Sequence, residues 1–218
     1  MRKTVLRAVT LAVVLSPAVA FTQSGTSKPT TVTIITKEEV DIVNKQGQGT
    51  DRAIRTVDIG HENLSVGIIH RTKTVGGVML PREGAAAAPV GGAAAAPAPP
   101  PGPCGRQMAT LPPGGTPGGI THDSQTEGYY IISGAGTMIV EGYIANGRYG
   151  LSPVLNGPTC SGVSYDVVRK DVKVGDIIII PPNVVHGWVE IPDHVDYLSF
   201  RPSPGILTAG YVHPTIKK

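Results

Sequence analysis

The chain has 218 residues, with 28 Gly, 20 Pro, 5% aromatic and 16% charged residues. That content excludes a charge-rich disordered protein and a coiled coil, and two cysteines exclude a disulfide-dense mini-protein. The formal net charge of +3 comes with no basic stripe interleaved with aromatics, so nucleic acid is not an expected partner.

Arg2, Lys3 and Arg7 precede an apolar run over residues 8–15, then Pro17 and the small residues Ala18, Val19 and Ala20. Residues 1–20 read as a secretory signal peptide cleaved after Ala20, which predicts a periplasmic or extracellular protein. The apolar run is too short for roughly 30 Å of hydrocarbon, so no integral membrane span is expected in the mature chain. Losing Arg2, Lys3 and Arg7 leaves 16 basic residues against 16 acidic ones, so the positive charge belongs to targeting.

Residues 21–53 read as a polar tail, then a β-branched strand over 30–36 (TTVTIIT), then a Gly-bearing loop over 37–52. The 30–36 strand is expected to act as an edge-pairing arm, with a homodimer as one consequence. Leu64, Val66 and Ile68 alternate with Ser65 and Gly67, predicting a strand over 63–70. Residues 84–103 hold only Ala, Pro, Gly and one Val. Nothing there can build a core, so the segment reads as an insert within one domain spanning 54–205, with a tail over 206–218.

Beyond the insert the predicted strands are 120–122, 128–132, 137–144, 163–174, 177–180, 187–191 and 195–201. Gly134, Asn146-Gly147, Gly175-Asp176, Pro181-Pro182-Asn183 and Pro192-Asp193 punctuate them. Short strands with regular turn signals predict an all-β sandwich, jelly roll or barrel, and no helical period stands out after residue 30. His61, His194 and His213 fall in loop-like sequence. Cys104 and Cys160 are expected to pair, since an exported chain with an even cysteine count favours a bridge.

His122, Glu127 and His186 sit at the edges of these strands, where a bend between His122 and Glu127 returns both side chains to one pocket. Two imidazoles and one carboxylate with open positions suit Fe(II) or Mn(II), and also Zn, Ni or Co. The spacing Gly114-x5-Ile120-x-His122-x4-Glu127-x6-Gly134 resembles the first cupin motif, G-x5-H-x-H-x(3,4)-E-x6-G. Gly175-x5-Pro181-x-Asn183-x2-His186-x3-Glu190 resembles the second, G-x5-P-x-G-x2-H-x3-N. The resemblance implies a cupin double-stranded β-helix holding a divalent metal inside the barrel.

Three positions depart from the pattern. Ile120 replaces the first motif histidine. Asn183 replaces the turn glycine, which Asn tolerates because it adopts the left-handed conformation more readily than most residues. Glu190 replaces the asparagine. On an unbroken strand it shares a face with His186 and Trp188, as a fourth ligand, a proton carrier or a paired rim residue. Tyr129, of the same parity as Glu127, is either a pocket residue or a core aromatic, and with Glu190 it is the candidate catalytic base. Tyr197 and Arg201 alternate on the last strand as candidate substrate contacts, Arg201 as a carboxylate clamp or a surface ion pair.

These features leave three functions open. One is a metalloenzyme of dioxygenase, isomerase or lyase type acting on a small molecule. The others are a non-catalytic small-ligand binder and a structural barrel that has lost its metal.

Overall fold

A computed structural model describes residues 29–46, 51–79, 102–152, 156–203 and 207–216. The expected signal peptide and most of the 84–103 insert lie outside them. The elements are α1 (Lys37–Asn44), β1 (Asp51–Asp58), β2 (Asn63–Val75), β3 (Val78–Met79), β4 (Pro103–Cys104), β5 (Thr116–His122), β6 (Glu127–Val140), β7 (Tyr143–Ser152), β8 (Gly157–Tyr165), β9 (Val168–Lys173), β10 (Ile177–Ile180), β11 (His186–Ser203) and β12 (Tyr211–Val212). All strand pairings between these elements are antiparallel.

The long strand β11 organises the molecule. It pairs with β2 and, at His186, β5 along one edge, and with β6 along the other. The remaining order runs β12-β1-β2-β11-β5-β8-β7-β4, while β6 also carries β9 and β10. Alternation on these strands makes two apolar layers. The inner one gathers Ile69, Tyr129, Ile131, Met138, Trp188, Ile191, Val195 and Tyr197. The outer one, with Val43 of α1, covers Ile54 and Ile68, and Ile132 and Leu198 pack against it.

The N-terminal arm differs from the sequence expectation. Residues 30–36 form no strand, and residues 37–44 are a helix instead of a loop. Thr36 Oγ1 accepts from the Glu39 amide at 3.3 Å, and Glu39 Oε2 accepts from the Thr36 amide at 3.3 Å, a reciprocal capping box. Glu39 also pairs with Arg55 of β1, which fastens the helix to the outer wall. The β-branched run therefore leads into a helix start, and the homodimer expected from a strand arm loses its basis.

The boundary at Pro192-Asp193 also differs. The segments 187–191 and 195–201 belong to one strand, and the Pro-Asp step sits at a register shift between Ile191 and His194. The 128–132 and 137–144 segments are likewise bridged, because β6 runs unbroken through Gly134. The expected 163–174 strand divides at Asp166, which has φ 56°, into β8 and β9. Cys104 and Cys160 are disulfide-bonded, with Cα atoms 5.8 Å apart, and the bridge ties β4 to β8. Among the described residues no helix is long and apolar enough to cross a membrane.

Candidate metal centre

Three strands deliver the candidate ligands. His122 ends β5, Glu127 opens β6 and His186 opens β11. The bend between β5 and β6 is locked to the turn before β11. Asn183, at φ 63°, donates its backbone N–H to the His122 carbonyl at 2.9 Å and its side-chain amide to the Asp123 carbonyl at 3.1 Å. The left-handed residue at this motif position thus fixes the distance between the two histidines.

The three side chains are buried and converge. Glu127 Oε2 lies 3.0 Å from His186 Nε2 and 3.4 Å from His122 Nε2, and the two imidazole rings stack at 5.4 Å. One ligand atom from each residue falls within 4.8 Å of the others, so the group could hold a metal ion.

The outer nitrogens decide the inner ones. His122 Nδ1 sits 3.0 Å from the Asn156 carbonyl and His186 Nδ1 sits 3.1 Å from the Val184 carbonyl. A carbonyl only accepts, so both Nδ1 atoms carry hydrogen and, in the neutral rings, both Nε2 atoms present lone pairs to the centre. Burial lowers the His122 pKa, opposed by Glu127, which favours the neutral ring. His186 Nε2 is buried and, despite its nearness to Glu127, makes no hydrogen bond. Lone pairs facing a carboxylate without a proton between them are what a cation completes. The residues fit a divalent metal, and they do not single out which one.

Glu127 is held for this role. Burial alone would raise its pKa, but its surroundings, the Arg201 charge first, outweigh it, so the carboxyl lies well below the usual range. Tyr129 donates its phenol to Glu127 Oε2 at 2.6 Å. Burial and then the Glu127 charge push the Tyr129 pKa well above its ordinary value. Tyr129 is therefore a neutral donor that positions Glu127, not the general base the sequence suggested.

Arg201 borders the same cavity as His122 and His186 and is not the surface ion pair of one expectation. It is fully buried, and its Nε pairs with Glu127 Oε1. Its other edge grips Asp51 of β1, with Nη1 at 3.1 Å from Oδ1 and Nη2 on Oδ2. Burial opposes its charge, yet Asp51 and Glu127 raise its pKa well above normal. A guanidinium fork occupied by two carboxylates is a brace behind the site. Asp51 escapes a reading of the sequence because it precedes the predicted domain start, and only the pairing of β1 with β2, itself paired with β11, brings it near.

Glu190 does not reach the centre. Trp188 pairs with Met138 but Glu190 pairs with Thr137, so the strand bulges at Val189. One extra residue reverses the facing of the residues beyond it. Glu190 is exposed, and it lines an outer hollow with Thr137, Asp171 and Lys173.

Beside the three ligands lies a cavity of about 440 Å³, lined among others by Ile120, Tyr129, Trp188, Tyr197, Arg71 and Thr74. Tyr197 borders it, with its hydroxyl accepting from Arg71 Nε at 2.9 Å and from Trp188 Nε1 at 3.3 Å. Ile120 lies two residues before His122 and opposite His186, so an apolar side chain stands where the motif has a ligand.

Antiparallel strands wrapped around an inner layer, with both motifs meeting inside, give the architecture. The chain has a cupin-like double-stranded β-helix fold. No family model matches it, and no curated protein matches it. A Klebsiella pneumoniae protein of undefined function with a double-stranded β-helix domain is similar in structure at 14% identity, over 81% of this chain and 94% of that one, with a TM-score of 0.36. A Bacteroides fragilis cupin protein is similar at 15% identity, over 81% and 97%, with a TM-score of 0.32. At these TM-scores the likenesses carry no functional weight.

Proposed function

We propose that this protein binds a divalent metal through His122, Glu127 and His186 and presents it to a small oxygen-bearing ligand in the adjoining cavity. The observation that carries this reading is the convergence of two Nε2 lone pairs on a buried carboxylate, with each imidazole fixed from behind by a carbonyl. Bound there, the metal supplies Lewis acidity toward an oxygen ligand. The chain's own groups do the rest. Arg201 and Tyr129 hold Glu127 ionised and aimed inward. Trp188, Tyr197 and Ile120 give the cavity apolar walls that limit water. Arg71 contributes a cation beside Tyr197 suited to an anionic ligand group.

The reading extends to a small-molecule metalloenzyme, with Fe(II) or Mn(II) first among the metals. A non-catalytic metal-dependent binder uses the same site. Export to the periplasm or the cell exterior is part of the proposal, and the Cys104–Cys160 bridge supports it.

Elemental analysis of the purified chain, before and after reconstitution with Fe(II), Mn(II), Co(II), Ni(II) and Zn(II), tests the proposal. One metal per chain is expected in the parent, lost in both His186→Ala and Glu127→Gln. A folded parent that takes up none of the five overturns it. Oxygen uptake on adding candidate small acids then separates an oxygenase from other metal chemistry.

A further inference from the structure

A second group of reactive side chains lies on the opposite face of the same strands. Ile69, Val195 and Tyr197 point into the inner layer, so their neighbours His70 and Asp196 point out. Asp196 pairs with His70 on one side and with Ser133 of β6 on the other. Ser133 Oγ lies 2.7 Å from His194 Nε2, and His194 Nδ1 lies 2.6 Å from Asp193 Oδ2. The His70 ring, fixed by Asp196, stacks over His194 at 6.1 Å and 21°. The bulge at Pro192-Asp193 makes this possible, because it turns His194 toward Ser133 instead of leaving it in a loop.

A carboxylate only accepts, so Asp193 fixes the hydrogen of the neutral ring on Nδ1 and leaves Nε2 to accept the Ser133 proton. A hydroxyl against an imidazole, itself oriented by a carboxylate, is the arrangement that activates a serine, whatever the fold around it. The His194 side chain is 35% exposed and Asp193 is 90% exposed, so the site opens to solvent and a reagent can reach it.

We propose that Ser133, His194 and Asp193 form a metal-independent nucleophilic site that accepts acyl groups from small esters. Ser133 Oγ adds to the ester carbonyl carbon while His194 Nε2 takes the hydroxyl proton. The carbon–alkoxy bond then breaks, and the alcohol leaves with that proton. Water adds to the acyl-serine by the same proton path, which releases the acid and restores Ser133. Ser133 and His194 are the catalytic residues, and Asp193 is a positioning residue.

The test uses a fluorophosphonate probe on the full chain after dialysis against a chelator, which removes any metal-derived hydroxide. Here the Oγ–P bond forms, the P–F bond breaks, and fluoride leaves with the proton. One adduct, mapped to Ser133 by peptide mass spectrometry, is expected. It is absent in Ser133→Ala and forms about 100-fold more slowly or less in His194→Gln. Asp193→Asn is expected to slow labelling at least about tenfold, with an altered pH–rate profile and an unchanged melting temperature. Because Asp193 is exposed, that variant decides the matter if His194→Gln does not fold. An unlabelled parent, an adduct elsewhere, or labelling indifferent to both variants overturns the proposal.

Discussion

Arg201 and Glu127 form a buried ion pair between β11 and β6, and the same guanidinium reaches Asp51 on β1. One side chain thus joins three strands behind the candidate ligands. Replacing Arg201 with Leu leaves the Glu127 and Asp51 carboxylates without the cation they share. Such a loss costs about 3–5 kcal/mol. Thermal unfolding of Arg201→Leu should show a large drop in melting temperature, and metal uptake should fall with it. Arg201→Lys, which lacks the fork, should recover only part of both. An unchanged melting temperature in Arg201→Leu would contradict the brace.

Acid should weaken the metal-free protein in two stages. The folded His122 pKa lies below the ordinary 6.5, so as pH falls past that value the unfolded chain gains a proton first and stability declines. The folded Glu127 pKa lies well below the ordinary 4.5, so its contribution is complete above that value and is lost at lower pH as its folded pKa is approached. Melting temperature measured from pH 8 to pH 3 should fall first below about pH 6.5, and His122→Gln should reduce that first step, to which the partly buried His213 also contributes. A flat profile down to pH 5 would contradict the buried neutral imidazole.

Ile120 borders the cavity at the position where the motif carries its first histidine. Ile120→His should add an imidazole and raise metal affinity by about tenfold or more, read by competition with a chromophoric chelator. Equal affinity in parent and variant would mean that this side chain does not address the centre.

Glu190 serves as a control for the strand facing. Exposed beyond the bulge at Val189, it points away from the candidate metal centre. Glu190→Gln should keep full metal content and change stability by no more than about 0.5 kcal/mol. Metal loss in this variant would restore Glu190 as a ligand.

Local chemistry made much of this protein readable from its residues alone. Period-two alternation and Gly/Pro/Asn punctuation pointed to an all-β fold, and motif spacing singled out His122, Glu127 and His186. The same local signals included Thr36-x-x-Glu39 at the start of α1, masked by the β-branched run before it. Other features obey no local rule. A bulge adds one residue to a strand and reverses the facing of every residue after it, and whether it forms depends on the partner strand. That is why Glu190 points away from the centre and why His194, in apparent loop sequence, meets Ser133. Arg201 and Asp51 lie 150 residues apart, and only the pairing of β1, β2 and β11 makes them partners. Burial then decides their chemistry, because a guanidinium removed from water must be met by carboxylates, and only the assembled sheets bring those carboxylates to it.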